Sequence, residues 1–173
     1  MVQGIVHGVE RPSLATTLPT STGHPAVLLD VGANVDSTPR MLAQFAVMGE
    51  IYARNILHLA NPRVGLLSIG EEAEKGNLAV KEAHQRLLQA GLNFIGNVEG
   101  RDIPRGSCDR GSIDVVVCDG FTGNVLLKFY ESLAPMLIGM VSKAADIDAA
   151  QLRASLKHLD ADEHGGAPLL GVK

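Results

Sequence analysis

Tryptophan is absent, and two Tyr and four Phe are all the aromatics that 173 residues carry. The core must therefore be built from Leu, Val, Ile, Met and Ala, which suits layered helix and parallel-sheet packing better than a small β-barrel. Cysteine is nearly absent too: Cys108 and Cys118 stand alone, with no CxxC and no second pair. That excludes a disulfide scaffold and a cysteine zinc site, and it reads as two reduced thiols in a cytosolic protein. Basic charge is not in excess, since 15 Lys plus Arg face 19 Asp plus Glu for a net charge of −4 at pH 7. No general electrostatic grip on nucleic acid follows from such a balance. No basic amino-terminal stretch leads into an apolar one, and unbroken apolar runs fall far below the roughly 20 residues that a spanning helix needs. Neither export nor a transmembrane segment is expected. Also missing are GxGxxG after a strand, GxxxxGK[ST], HExxH and GxSxG, so simple nicotinamide, P-loop, zinc-protease and α/β-hydrolase assignments lack support.

What remains is the balance of a globular protein, 46% apolar and 20% charged, and residues 1–173 read as a single α/β domain. Short runs rich in Val, Ile and Leu alternate with segments of helical period, the pattern of a mostly parallel sheet wrapped by helices. Residues 1–25, rich in Pro, Thr, Ser and Gly, read as an extended lead-in. The first strand is Ala26–Asp30. Met41, Phe45, Met48, Tyr52 and Ile56 then mark the buried face of a helix that Thr38 caps and Pro39 opens. A second strand, Val64–Ile69, leads to a helix with Leu78, Ala83, Leu87 and Leu88, which Gly91 stops. A third strand spans Asn93–Asn97, and a turn-rich stretch covers Gly100–Ser112. Ile113–Cys118 then reads as a central strand covered on both faces. The helix after it is expected to begin near Thr122 and to kink or end at Pro135. From Ala134 to His158 the chain reads as a helical excursion with a new start at Asp146 or Asp148, and a last strand opens near Leu169.

In open parallel sheets ligands sit beyond the carboxyl ends of the strands, so the strand-to-helix loops are the places to search. Asp119, Gly120, Phe121, Thr122, Gly123 and Asn124 form the sharpest of them. Two glycines there allow close backbone approach, and the free amides of a helix start, with Thr122 and Asn124 beside them, make an anion site; the alternative is a tight turn capped by Thr122. Gly70, Glu71, Glu72, Glu74, Lys75, Gly76 and Asn77 repeat the arrangement, with Lys75 and the Gly76–Asn77 amides attracting an anion, or with acids merely favoured at a solvated helix start. Asn97, Glu99 and Arg101 bring an amide, a carboxylate and a guanidinium to the same rim, where Arg101 clamps phosphate or pairs with Asp102. Asn34 and Asp36 are candidates for hydrogen bonding to a reacting group, or for an Asx turn. His164, beside Asp160, Asp162 and Glu163, lies in the one histidine cluster that could bind metal or transfer protons. Its spacing matches no familiar ligand set, so no metal is expected.

Taken together, the stretches Gly8–Pro12, Leu29–Asp36, Gln44–Gly49, Asn61–Leu67, Gly70–Glu72 with Lys75–Asn77, Phe94–Asp102, Val117–Val125 and Gly165–Val172 resemble, in order and over nearly the whole chain, the bacterial acyl-acyl-carrier-protein:phosphate acyltransferases of phospholipid synthesis. The resemblance implies a three-layer α/β/α sandwich like that of phosphotransacetylase and the isocitrate/isopropylmalate dehydrogenases. It implies conversion of long-chain acyl-acyl-carrier-protein and inorganic phosphate into acyl phosphate, with no cofactor. It further implies a homodimer, a cytoplasmic location and peripheral contact with the inner face of the cell membrane.

By that resemblance the residues holding phosphate or substrate are Gly70, Glu71, Gly76, Asn77, Asn97, Glu99, Asp119, Gly120, Thr122, Gly123, Asn124, His164, Gly165 and Gly166. Lys75 and Arg101 serve the anion, and Asn34 or Asp36 assists at the thioester. Lys75→Ala or Asn124→Ala should then raise the KM for phosphate. The apolar stretch Met136–Val141, with Lys143 nearby, occupies the place of the family's membrane-contact segment; packing against a dimer partner explains it equally well. Against the family pattern, amino-terminal βα units and a final strand and helix are missing, Pro104–Ser112 is longer and Ala134–His158 shorter. A non-catalytic piece that binds carrier protein, membrane or a twin subunit is therefore a second expectation. A decarboxylating dehydrogenase of the same general fold is a third, and it would need a cofactor site and an aspartate cluster that the sequence does not display.

Overall fold

The computed structural model describes residues 4–156 and 167–173. Its centre is a six-stranded sheet. Strand β1 (Ser13–Leu18) runs into β2 (Ala26–Leu29), helix α1 (Pro39–Ile56), β3 (Val64–Leu67), helix α2 (Leu78–Leu87) and β4 (Phe94–Val98). A short helix α3 (Asp102–Arg105) and a hairpin of β5 (Ser107–Cys108) and β6 (Gly111–Ser112) precede β7 (Val115–Val117), helix α4 (Gly120–Ala145), helix α5 (Ala149–Ser155) and β8 (Leu169–Leu170). The spatial order is β4-β3-β7-β2-β1-β8. Strands β4, β3, β7 and β2 are parallel, and β1 lies antiparallel between β2 and β8.

The central strands alternate their side chains between two covers, which is why they read as continuous apolar runs. Val27, Leu29, Val64, Leu66, Val115 and Val117 face α1 and α2, where Phe45, Ala46, Ala53 and Leu87 complete one core. Leu28, Val116 and Val98 face the other way, toward Ile103 of α3 and toward Leu126, Leu127 and Tyr130 of α4. The three-layer expectation is thus met, with β7 near the middle as read from Ile113–Cys118.

Two expectations are corrected. Residues 1–25 are not a lead-in alone: Ser13–Leu18 is a strand whose Ala15–Leu18 pair with β2, Ala15 opposite Leu29, and whose Ser13 and Leu14 pair with β8. Ala15 and Leu18 are buried in the cores on its two faces, but the Ser and Thr around them hid the strand. Of the kink or end expected at Pro135, the end does not occur: α4 continues through it to Ala145. Pro135 lies exposed, so the carbonyl whose partner it removes can turn to water, and the end of α5, with Arg153 and Leu156, lies beside it and Ile138. The new start is as read: Asp148 caps α5, accepting from the amides of Ala150 and Gln151 at 2.8 and 2.9 Å.

Candidate functional site

The carboxyl ends of β3 and β7 diverge into a cleft walled by the starts of α2 and α4. Its larger lobe, about 500 Å³, is lined by Leu67, Ser68, Ile69, Gly76, Asn77, Val80, Gly100, Cys118, Asp119, Phe121, Thr122, Val125 and Leu126. A smaller lobe of about 380 Å³ shares Asn77, Val80, Asp119, Phe121 and Thr122 with it and adds Asp36 and Ser37. Helices begin here because both preceding loops end in capping residues. The Asn77 side chain accepts from the Val80 amide at 2.9 Å. Asp119, not Thr122, caps α4, accepting from the Thr122 amide and hydroxyl at 2.8 Å each.

The two helix starts differ in chemistry. At α4 the amides are already engaged: Gly120 donates to the Asn34 carbonyl at 2.8 Å, Phe121 to Val35 at 3.4 Å, Thr122 to Asp119, and Gly123 to the Asp119 carbonyl at 3.0 Å. The glycines serve that contact rather than a ligand. A Cβ on Gly120 would meet the Asn34 carbonyl oxygen at 2.4 Å, and one on Gly123 would meet the Asp30 carbonyl oxygen at 1.9 Å. At α2, by contrast, the amides of Gly76, Asn77, Leu78 and Ala79 have no acceptor among the described residues. Lys75 beside them is exposed and makes no ion pair among those residues. Free amides and an unpaired cation at a helix start are what an anion requires. Gly76, at φ +100°, has the left-handed backbone that lets the chain turn into α2, and a Cβ there would meet Val80 at 2.8 Å.

Asp30 organises the loop opposite. Fully buried, its carboxylate accepts from the amides of Leu14, Gly32, Ala33 and Asn34 and from the Asn34 side chain, at 2.7–3.3 Å. Asn34 also donates to the Pro12 carbonyl at 2.8 Å, and Asn124 donates to Val31 at 3.2 Å. Asn34 and Asn124 therefore hold this loop in place and do not line the cleft. Asp36 does line it, in the smaller lobe.

Of the other sequence candidates, Gly70 is buried beneath Glu72 and Lys75, and Glu71 pairs with Arg110 at 3.0 Å. Arg101 pairs with Glu99 at 2.7 Å, not with Asp102, while Asp102 accepts from the Glu99 amide at 2.9 Å. Asn97 is fully buried, with its amide turned to Glu72 and His84. The structure thus brings Asp36, Gly76, Asn77, Asp119 and Thr122 to the cleft, with Lys75 next to it. It leaves Asn34, Glu71, Asn97, Glu99, Arg101, Gly123 and Asn124 in supporting contacts. His164, Gly165 and Gly166 lie outside the described residues.

Sequence reasoning passed over Ser68 and Ser37. Both line the cleft, and their buried hydroxyls have no partner among the described residues. Each sits just outside a loop that drew attention for its charges and glycines, and a lone serine carries no such signal. Cys118 also reaches the cleft, but burial, then the nearby Asp119 and Asp30 carboxylates, push its thiol well above the usual range. It stays neutral at physiological pH and is a poor nucleophile.

The sequence model of the family described as "Fatty acid synthesis protein" matches residues 1–173. Phosphate acyltransferase of Acidobacterium capsulatum is 49% identical over 183 residues, covering 100% of this chain and 52% of that protein. Its namesake in Heliobacterium modesticaldum is 51% identical over 179 residues, covering 98% and 52%. The chain therefore spans about half the length of the curated relatives it matches. Among solved structures, the EutD phosphotransacetylase from Staphylococcus aureus superposes with a TM-score of 0.60 at 19% identity over 75% of this chain and 44% of that one. A phosphotransacetylase from Streptococcus pyogenes gives 0.59 at 20% identity over 77% and 45%. These neighbours share the α/β fold with a mostly parallel sheet, and the match along its full length makes this chain a member of the fatty acid synthesis protein family.

Proposed function

We propose that the cleft serves acyl transfer from a long-chain acyl-acyl-carrier-protein thioester to inorganic phosphate, yielding acyl phosphate for phospholipid synthesis. The observation that carries this reading is the start of α2, where amides of Gly76–Ala79 without an acceptor among the described residues, with Lys75 beside them, border a lobe that is mostly apolar but also holds Ser68, Asp119 and Thr122. Phosphate is held and oriented by the amides and Lys75. Leu67, Ile69, Val80, Phe121, Val125 and Leu126 offer a dry surface to the acyl chain. A phosphate oxygen attacks the thioester carbonyl carbon, the carbon–sulfur bond breaks, and the departing thiolate of the carrier protein takes up the proton that phosphate gives up. Such chemistry asks for positioning and charge stabilisation rather than a side-chain nucleophile, which agrees with the neutral Cys118. Asp36 lines the adjoining smaller lobe, with Asp119 between the two, and assists at the reacting group in this reading.

The names of the relatives support this reading, as do the phosphotransacetylase neighbours in fold. The finer kinship to isocitrate/isopropylmalate dehydrogenases, a homodimer, and a cytoplasmic enzyme touching the inner membrane face belong to the same proposal. For membrane contact the supporting feature is α4, which by length and composition alone is apolar enough to cross a bilayer and exposes Met136, Leu137, Met140 and Val141.

The test is phosphate-dependent formation of hydroxylamine-reactive acyl phosphate from palmitoyl-acyl-carrier-protein by the purified chain. Lys75→Ala should raise the phosphate KM about tenfold or more, as expected for loss of one charge-assisted contact, while Lys75→Arg retains most of it. An unchanged KM in Lys75→Ala would remove α2 from the role. Binding of carrier protein without turnover by a folded chain would favour the non-catalytic reading.

A further inference from the structure

Behind the start of α2 lies a buried polar relay that no part of the acyl-transfer reading uses. His84, 6% exposed on α2, and Asn97, 0% exposed on β4, meet at 2.9 Å between imidazole Nδ1 and the side-chain Oδ1 of Asn97. The other end of that side chain donates from Nδ2 to the Glu72 carbonyl at 2.7 Å. The same carbonyl accepts from the Lys75 amide at 3.0 Å, closing the turn that carries Lys75. Since Nδ2 must donate to Glu72, Oδ1 is the acceptor and Nδ1 of His84 carries the proton. Phe94 meets the imidazole edge-on, with centroids 5.1 Å apart and planes at 74°, so the ring has little freedom to turn. Arg110 ties down the outer side, donating to the Asn97 carbonyl and pairing with Glu71 at 3.0 Å.

We propose that His84 and Asn97 are positioning residues for the anion site, setting through the Glu72 carbonyl where Lys75 and the Gly76–Ala79 amides present themselves. The inference rests on the phosphate reading for its functional consequence, though not for its geometry. A buried Asn side chain has two ends that must both be satisfied. With His84 occupying one, the other has a single orientation, and the loop it holds has a single shape. Without the imidazole the side chain is free to turn over, placing its oxygen against the Glu72 carbonyl and breaking the turn.

The experiment compares the 173-residue chain with His84→Ala, Asn97→Asp and His84→Asn. In the last, the side-chain amide nitrogen stands where Nδ1 stood. Two readouts are taken: amide hydrogen exchange at Lys75 relative to the core strands, and KM for inorganic phosphate against kcat. His84→Ala and Asn97→Asp should speed Lys75 exchange roughly tenfold or more with β7 still protected. They should raise the phosphate KM roughly fivefold with little change in kcat, and His84→Asn should recover both. The inference is overturned if Lys75 exchange is unchanged in both disruptive variants, or if His84→Asn fails to recover it while the fold is intact. Should the exchange follow the series while the wild-type chain shows no phosphate dependence, the positioning relay stands and the acyl-transfer reading falls.

Discussion

Two glycines of helix α4, Gly139 and Gly123, share the same local propensity but stand in opposite tertiary surroundings. In an isolated helix, Gly→Ala is stabilising by about 1 kcal/mol, because alanine loses less backbone freedom on folding. At Gly139 nothing lies within 4 Å of the position a Cβ would take, so Gly139→Ala should show most of that gain. At Gly123 the Cβ would stand 1.9 Å from the Asp30 carbonyl oxygen and 3.0 Å from the Cys118 sulfur. The helix must retreat by about 1 Å from a backbone oxygen that cannot give way, because the Asp30 side chain is anchored by five donor contacts. Overpacking of that kind costs about 3 kcal/mol, leaving a net loss of about 2 kcal/mol after the propensity gain. For a chain of this size the midpoint of thermal unfolding should fall by roughly 4–8 °C, against a rise of roughly 2–4 °C for Gly139→Ala. Urea unfolding followed by circular dichroism on both variants decides it. Gly123→Ala matching or exceeding wild-type stability would refute the claim that this glycine exists for close packing of α4 on the Asp30 loop. Turnover adds a second measure, since Phe121 and Thr122 ride on the displaced turn and a shift of that size at a site can cost about 100-fold in rate.

Two further perturbations probe the same scaffold. Asp30→Asn keeps one acceptor oxygen but sets an NH2 group against two Asn34 donors; it should cost about 3 kcal/mol, read as a fall of roughly 6–12 °C in thermal midpoint. A fall under about 2 °C would show that the carboxylate does not organise the loop. Tyr130, whose hydroxyl is buried without a partner among the described residues, has its phenol pushed up to about 12 by burial. The folded state therefore holds that proton more tightly than the unfolded chain, whose phenol titrates near 10. Its share of stability is complete below pH 10 and is lost as pH rises from 10 toward 12. Tyr130→Phe should leave stability at pH 7 unchanged or raised and should flatten the alkaline decline in a Tm–pH series; an equally steep decline would exonerate Tyr130.

Much of the architecture was legible because it is written in local patterns. Spacing of Met41, Phe45, Met48 and Tyr52 at three and four marked α1, Thr38 and Pro39 marked its start, and continuous Val and Leu marked the strands buried on both faces. β1 escaped because its neighbours across the sheet, not its own composition, make Ser13–Leu18 a strand. The helix through Pro135 escaped because the lost hydrogen bond faces solvent.

The sequence by itself determined that strand-to-helix loops rich in Gly, Asn and charge lie at one rim of a parallel sheet, since periodicity and capping are properties of neighbouring residues. It could not apportion roles among those loops. Asn34, Asn97, Arg101 and Asn124 have the same donors whether they face a ligand or a carbonyl, and only the packed structure decides which they meet. Among the described residues, tertiary contacts use up the first amides of α4 and leave those of α2 unengaged, because glycine at positions 120 and 123 lets one helix start close upon the Asp30 loop while the other opens on the cleft.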